Sequence, residues 1–410
     1  MNTSSPFDVT DDPRPALNGG TPVRPNDAFL VFGAPQINEE DIEEVVASMR
    51  SGWLGTGPKV AAFEERFRRY KNTPHAVAVN SCTAALHLSM LAADLKPGDE
   101  VITTPLTFAS TINAIIHSDA TPVLADIDPV TMNISPEAIE ARVTTRTRAI
   151  LPVHFAGRGC DMRALTAVAR KHDLKIIEDC AHAVETLIEG QPAGTFGDFG
   201  CFSFYVTKNV VTAEGGMVIS RQAKDSDRVK ILALHGLSHD AWKRFGDEGY
   251  KHYYVVECGY KYNMTDLQAA IGIHQMDRVS DNWQRRVAIW ERYQRAFADL
   301  PIGTPAPVPE GDRHGHHLYT VQIEQNRCGI ARDDFLAAMT KENIGVGVHY
   351  LSIPEHPYYQ TTFGWTPEEW PNATSIGRST VSLPLSARLT DRDVDDVIHA
   401  VTRLLRYYGN

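Results

Sequence analysis

The sequence predicts an α/β protein with a mostly parallel sheet covered by helices on both faces, followed by a smaller α+β domain. The first observation is that short apolar runs alternate with stretches of helical periodicity between residues 76 and 220. Parallel strands need long crossover connections, so this alternation is typical of a parallel sheet with two covered faces. The second observation is length, because 410 residues exceed one ordinary core and suit one large and one smaller domain.

Seven apolar runs are predicted to form a seven-stranded sheet; they lie at 76–79, 100–103, 121–125, 149–153, 175–178, 201–204 and 216–220. Helices are predicted at 38–51, 60–70, 83–93, 108–117, 136–143 and 162–172. Asn38 is expected to cap the first helix, because its side chain can accept a backbone N–H. A long helical region at 264–300 precedes predicted strands at 318–323, 346–349 and 380–383 and predicted helices at 332–342 and 390–408. The expected divisions are a loose arm at 1–27, a large domain at 28–280 and a small C-terminal domain at 281–410.

Composition and charge narrow the class of protein. The hydrophobic fraction of 43% and the charged fraction of 22% are ordinary for a globular enzyme, and the net charge of −11 excludes a global basic surface for nucleic acid. No apolar run approaches the ~20 residues that span a bilayer, and the N-terminus lacks the basic and apolar parts of a secretory signal. The six cysteines are scattered without a CxxC pair, which favours free thiols. We therefore expect a cytoplasmic protein with no membrane partner.

The segment FSFYVTKNVVTAEGG at 202–216 is the most informative part of the chain. It places Lys208 just after an apolar run and close behind Ser203, and an earlier apolar run ends at Asp179. Pyridoxal phosphate (PLP) needs a lysine amine that bonds to its aldehyde and a carboxylate that keeps its pyridine nitrogen protonated. The Ser203 hydroxyl can reach the phosphate. These three residues predict a PLP site, although Asp179 could instead cap a following helical turn at 181–184.

Further side chains fit the same interpretation. The run NSCTA at 80–84 follows a strand and opens a helix, and the N–H groups at a helix start bind anions; the alternative is simple capping by Ser81 or Thr83. Phe108 could stack on a pyridine ring or be an ordinary core aromatic. His182 could contact the ring or its 3-hydroxyl, or be structural. The histidines at 314, 316 and 317 lack a paired acid, so no metal site is predicted.

Taken in order, these motifs resemble the DegT/DnrJ/EryC1/StrS sugar aminotransferases, which are PLP-dependent enzymes of fold type I. The resemblance runs from about residue 17 to near the C-terminus and includes GWLGTGP at 52–58, NSCTAALH at 80–87, PGDEV at 97–101, TFAS at 107–110, GYKYNM at 259–264 and GVHY at 347–350. It implies that Thr83 and the backbone near Cys82 hold the cofactor phosphate, and that Phe108 covers the ring. It also implies that Lys208 moves a proton while the cofactor alternates between PLP and pyridoxamine phosphate.

The resemblance implies a homodimer with shared active sites, in which Asn263 reaches the phosphate bound by the partner; the alternative is that Asn263 caps its own helix. His349 and Tyr350 are expected to line the mouth of the site. Further substrate contacts are expected from His317, Trp53 and Thr56. The basic and aromatic stretch at 235–244 suits a nucleotide diphosphate.

The expected activity is amination of a nucleotide-linked keto sugar, a 4-keto-6-deoxyhexose, with L-glutamate as donor and 2-oxoglutarate as by-product. Alternatives are an aminotransferase for a 3-keto sugar or a cyclitol ketone. Another alternative is a PLP-dependent sugar dehydratase on the same fold, a subgroup that carries histidine where this chain has Lys208. A non-catalytic regulatory protein is a third, and the complete set of Asp179, Ser203 and Lys208 counts against it.

Overall fold

A computed structural model describes residues 13–238 and 253–409 of the chain. The strands within these ranges are β1 His75–Val79, β2 Glu100–Thr103, β3 Thr121–Leu124, β4 Thr147–Leu151, β5 Lys175–Asp179, β6 Leu187–Ile188, β7 Gln191–Pro192, β8 Phe199–Ser203, β9 Gly216–Ser220, β10 Tyr319–Gln322 and β11 Thr380–Leu383. The helices are α1 Glu39–Ser51, α2 Pro58–Lys71, α3 Cys82–Ala92, α4 Ala109–His117, α5 Pro136–Glu140, α6 Met162–His172, α7 Ala223–Ala233, α8 Asp266–Asp277, α9 Val279–Phe297, α10 Gln325–Cys328, α11 Arg332–Lys341, α12 Pro357–Phe363, α13 Pro371–Ser379 and α14 Asp391–Tyr408.

A seven-stranded sheet with the order β1-β9-β8-β5-β4-β2-β3 forms the centre of the large domain. The strands β8, β5, β4, β2 and β3 run parallel to one another. Strand β9 runs antiparallel to both of its neighbours, β8 and β1. This confirms the predicted α/β class and the seven-stranded, mostly parallel sheet. Because β5 and β8 are adjacent and parallel, their carboxyl ends, Asp179 and Ser203, lie at the same edge.

Successive side chains of the central strands enter two different apolar layers. On β5, Ile176 packs into one layer and Ile177 into the other, and on β8 Phe202 and Cys201 divide in the same way. Side chains alternate across a strand with a period of two, so both faces of this sheet are buried. Continuous apolar runs in the sequence follow from that double burial.

Helix starts carry the caps that the sequence suggests. Asn38 caps α1 and forms a reciprocal capping box with Asp41, which confirms its predicted role. Ser81 caps α3 by accepting the backbone N–H of Ala84 at 3.1 Å. The predicted helical region at 264–300 is divided at Arg278 into α8 and α9.

The small domain joins β10 and β11 in an antiparallel pair that is packed against helices α9, α11 and α14. Leu30, from the start of the chain, lies in this core and pairs with Ile344. The strand predicted at 346–349 is wrong: the backbone there makes only a single bridge, Gly347 with Ser382.

The described part of the N-terminal arm is packed and not loose. Glu342, which is fully buried, accepts the backbone N–H groups of Ala16 and Val23, each at 2.9 Å, and pairs with Arg403. The expectation of a loose arm failed here because a polar sequence can still be ordered by a buried acceptor. The division at residues 27 and 280 stays a prediction. In the described ranges no helix is long and apolar enough to cross a membrane.

Candidate active site

A cavity of about 540 Å³ opens where β5 and β8 end and α3 begins. Nine of the predicted site residues line it: Cys82, Thr83, Phe108, Asp179, His182, Ser203, Lys208, His349 and Tyr350. Ligands of open α/β sheets bind at the carboxyl ends of the strands, so the position fits a binding site. The fold thus brings together residues spread over more than 260 positions of the sequence.

Asp179 is a buried carboxylate at the end of β5. One of its oxygens accepts the hydroxyl of Thr111 at 2.9 Å, and the other accepts the backbone N–H of Ala181 at 3.1 Å. Residues 181–184 form a turn rather than a helix, so Asp179 does not cap one. Burial raises the pKa of Asp179, while these two hydrogen bonds and the charge of Lys208 oppose the rise. A cationic partner in the cavity would therefore stabilise the ionised form.

Lys208 enters the same cavity from the turn after β8, where its backbone N–H bonds to the carbonyl of Tyr205 at 2.8 Å. Burial lowers the pKa of Lys208 to about 8, and Cys82 and Asp179 oppose that shift. A lysine with such a pKa has an appreciable fraction of free amine near neutral pH. Free amine is the form that attacks a carbonyl carbon.

The start of α3 supplies an anion site in the cavity. Cys82 and Thr83 occupy the first helical turn, where N–H groups have no carbonyl partner within the helix. A Cβ atom on Gly216, at the start of β9, would lie 2.5 Å from the carbonyl carbon of Ser81 and 2.8 Å from the nitrogen of Cys82. Only glycine lets the two segments approach this closely, which explains the glycine that ends the 202–216 motif.

Aromatic and imidazole rings complete the cavity. Phe108 is 60% exposed, which excludes the core-aromatic alternative, and its ring lies 5.9 Å from that of Tyr350. His349 bonds through Nδ1 to the Ser382 hydroxyl at 2.8 Å, and burial lowers its pKa to about 4. His182 is buried and bonds to the Tyr350 hydroxyl at 3.1 Å.

Four predicted site residues do not line the cavity of their own chain. His317 lies behind His182, with the two ring centres 4.3 Å apart. Asn263 and Thr56 are hydrogen-bonded to each other at 2.7 Å, and Trp53 is an exposed neighbour in the same loop. Their proposed contacts with phosphate or substrate stay predictions. Within the basic stretch, residues 239–244 fall outside the described ranges.

Several functional contacts were missed by sequence reasoning. Thr111 holds Asp179, and Thr107 supports Thr111 through a hydroxyl contact of 2.7 Å. Both follow the predicted strand at 100–103, at the same sheet edge as Asp179, and that shared position was the available signal. Tyr205 and Glu214 also line the cavity, and nothing in their sequence context distinguishes them from surface residues.

One group of side chains near Asp179 has the composition of a metal site: His154, Glu178 and Cys180. Glu178 accepts His154 Nε2–H at 3.0 Å and also three backbone N–H groups, from residues 194, 196 and 197. Because His154 Nδ1 accepts the N–H of Cys160, its proton is on Nε2. The hydrogen-bonding capacity of Glu178 is therefore used within the protein, where it holds the loop at 194–197.

A free-amine lysine, a buried carboxylate and an anion-binding helix start in one cavity suit the aldehyde, the ring nitrogen and the phosphate of PLP, respectively. The fold and the site define the class of PLP-dependent transaminases. The model of the DegT/DnrJ/EryC1/StrS aminotransferase family matches residues 35–402. The chain belongs to this family, and it is a PLP-dependent sugar aminotransferase.

Individual relatives agree with this membership. SpsC of Bacillus subtilis, a spore coat polysaccharide biosynthesis protein, is 48% identical over 385 residues, which cover 94% of this chain and 99% of SpsC. Spr1654 of Streptococcus pneumoniae, described as a candidate sugar aminotransferase, is 33% identical with a TM-score of 0.86, and the match to its PMP-form covers 93% of this chain and 98% of that one. It was also solved in its PLP-form. DesI, solved with its TDP-sugar product, is 30% identical with a TM-score of 0.83, covering 96% of this chain and 95% of DesI.

Proposed function

We propose that the protein aminates a nucleotide-linked 4-keto-6-deoxyhexose and takes the amino group from L-glutamate. The observation that carries the proposal is Lys208, a lysine in the cavity beside Asp179 with its pKa lowered to about 8. The dehydratase alternative is disfavoured because that subgroup carries histidine at this position. The TDP-sugar product bound by DesI, which has the same fold, supports a nucleotide sugar as substrate.

PLP, when bound, supplies an aldehyde that takes up the amino group and a ring that accepts electrons. Asp179, whose buried carboxylate lines the cavity, would hold a proton on the ring nitrogen. Lys208, once its amine is free, accepts a proton from the reacting carbon of the amino donor and returns one to the sugar carbon. Phe108 and Tyr350 border the mouth, and the neutral imidazoles of His182 and His349 add no charge near Lys208.

The proposal includes a homodimer with shared sites. Asn263 uses one amide N–H for Thr56, which leaves its second N–H for another acceptor. Exposed apolar side chains lie in the segment that leads to Thr56: Ile42 and Met49 on α1, and Trp53 and Leu54 after it. Exposed apolar patches of this kind mark protein interfaces. If a second copy of the chain packs against these apolar side chains, Asn263 of the first copy would reach the phosphate site of the second.

The test is a panel of nucleotide-linked 4-keto and 3-keto sugars, with cyclitol ketones beside them, incubated with ¹⁵N-labelled L-glutamate. We expect the label in a 4-amino-6-deoxyhexose product detected by mass spectrometry, and no product with Lys208→Ala. Label in a 3-amino sugar or a cyclitol would move the function to those alternatives. Loss of water from the sugar without label would identify a dehydratase.

A further inference from the structure

The hydrogen bonds of His182 determine which ring nitrogen carries its proton. Nδ1 lies 3.2 Å from the backbone nitrogen of Ala156 and accepts that N–H. Burial, with the charge of Lys208, lowers the pKa of His182 well below its usual range, so the ring is neutral and has one N–H. That proton is therefore on Nε2, and His182 donates it to the hydroxyl oxygen of Tyr350 at 3.1 Å.

A second layer of polar groups holds the His182 ring in this orientation. The ring of His317 covers it at 4.3 Å between centres, and His317 Nδ1 bonds to Asn209 Oδ1 at 2.9 Å. The amide nitrogen of Asn209 donates to both oxygens of Glu185 at 3.0 Å and to the carbonyl of Gly315 at 2.8 Å. Because the Asn209 amide nitrogen already donates to these acceptors, the Asn209 Oδ1 atom is the one that faces His317, and it accepts the His317 Nδ1–H. The two imidazoles, whose planes are tilted by 35° to each other, are thus fixed in rotamer and tautomer.

Tyr350 consequently has one hydrogen left to donate. Its oxygen accepts from His182, so its own O–H is free for an acceptor in the cavity that it lines. Burial and the charge of Asp179 raise the pKa of Tyr350, which keeps the hydroxyl protonated at all physiological pH values. Tyr350 is therefore a fixed hydrogen-bond donor and not a base.

The chemistry of PLP provides an acceptor for this donor. In PLP the phenolic oxygen is on the ring carbon next to the one that carries the aldehyde, so a ring held by Asp179 and Lys208 would bring this oxygen into the cavity that Tyr350 lines. Tyr350 and His182 line the same cavity as Asp179 and Lys208, so the pair borders the space between the two anchors. We propose that the Tyr350 hydroxyl donates to the phenolic oxygen of bound PLP and that His182 is a positioning residue that acts through Tyr350. Under this proposal His182 acts on the oxygen through Tyr350, whereas the sequence led us to expect a direct contact of His182 with the ring or its 3-hydroxyl.

The test uses the resting holoenzyme with PLP and neither sugar nor amino donor, so its outcome is independent of the proposed substrates. The absorption band of the lysine-linked cofactor is titrated with pH in the wild type, Tyr350→Phe, His182→Leu and the double variant. Losing a donor destabilises the anionic oxygen, so Tyr350→Phe should move the midpoint up by about one pH unit, a tenfold change in the proton equilibrium. His182→Leu should move it less, in the same direction. The double variant should match Tyr350→Phe alone, because His182 has no second route to the cofactor.

His182→Gln is the conservative control, since its amide can donate to Tyr350, and its midpoint should lie closer to the wild type than that of His182→Leu. If His182→Leu does not fold, His182→Gln takes its place in the comparison of single and double variants. In the Tyr350→Phe background, His182→Gln should then leave the titration midpoint unchanged. An unchanged midpoint in Tyr350→Phe would overturn the contact between Tyr350 and PLP. An additional shift from the His182 substitution in the Tyr350→Phe background would show that His182 touches the cofactor directly.

Discussion

The Asn263 side chain donates its amide to the hydroxyl of Thr56 at 2.7 Å, although 207 positions separate the two residues in the sequence. The Thr56 hydroxyl donates in turn to the carbonyl of Met264. Asp266 fixes the same loop by accepting the backbone N–H groups of Gly57, Lys59 and Val60. The loop and Asn263 therefore form one hydrogen-bonded unit, and neither Thr56 nor Asn263 lines the cavity of its own chain.

Subunit mixing tests whether this unit serves a partner. Asn263→Ala should weaken PLP retention, and Lys208→Ala should abolish the covalent link to PLP. In a heterodimer of the two variants, one site combines an intact Lys208 with an intact Asn263. Activity should then return to about half of the wild-type value per heterodimer if the sites are independent. The measurement is transamination after mixing under conditions that exchange subunits. No recovery in verified heterodimers would mean that Asn263 serves only its own chain.

Thr56 offers a finer test of the same unit. Thr56→Val keeps the shape of the side chain but removes the acceptor for Asn263, so the amide loses its orientation. We expect PLP to bind about five- to tenfold more weakly, which corresponds to one hydrogen bond of about 1 kcal/mol. Thr56→Ser keeps the hydroxyl and is the matched control. The measurements are the PLP dissociation constants and the unfolding midpoints of both variants. Equal PLP affinity in Thr56→Val and the wild type would contradict the role of Thr56 in orienting Asn263.

Two buried lysines, Lys208 and Lys71, have a pKa lowered to about 8, but only Lys208 lines the cavity. Lys71 instead donates to the carbonyl of Val184 at 3.1 Å and lies over the Phe202 ring. Borohydride reduction of the holoenzyme should attach the cofactor to Lys208 alone, as read by peptide mapping. A label on Lys71 or another lysine would remove Lys208 from its assigned role.

Asp179→Asn should leave the fold intact and remove most activity, because an amide cannot keep the ring nitrogen protonated. The amide can still accept from Ala181 or Thr111, so folding should be little affected. Thr111→Val is a graded comparison: Asp179 loses one hydrogen bond, and kcat should fall about tenfold. Steady-state kinetics and circular dichroism check both variants. Turnover near the wild-type value in Asp179→Asn would show that Asp179 has a structural role and does not keep the ring nitrogen protonated.

The lowered pKa of the buried Lys71 leads us to expect a free energy of unfolding that depends on pH. Its pKa is near 8 in the folded protein and about 10.4 when unfolded, so the unfolded state binds more protons between these values. Burial of the charged Lys71 amine therefore lowers the free energy of unfolding below about pH 8, and this penalty disappears as the pH rises and the amine loses its proton. Lys71→Met should raise the free energy of unfolding by about 1–3 kcal/mol at pH 7, and the gain should shrink towards pH 10. Denaturant titrations at both pH values measure it, and a gain that is independent of pH would contradict the buried-charge account.

The sequence predicted most strands of the large sheet to within two residues at each end, because strands buried on both faces are continuous apolar runs between polar turns. It failed at 346–349, where an apolar stretch has no neighbouring strand over most of its length. The arm at 13–24 was misjudged for a different reason: its order depends on Glu342, whose distance along the chain makes the contact invisible to local patterns.

For the site, local sequence was enough for the residues whose chemistry depends on their own segment: Asp179 at a strand end, Lys208 in a loop, Thr83 at a helix start. Only the tertiary structure decided that His317 stands behind His182, that Tyr350 takes the proton of that ring, and that Asn263 pairs with Thr56. The physical reason is that strand order and helix packing set which distant side chains meet. A hydrogen bond or ring contact between such residues leaves no periodic trace along the chain, whereas burial and backbone capping do.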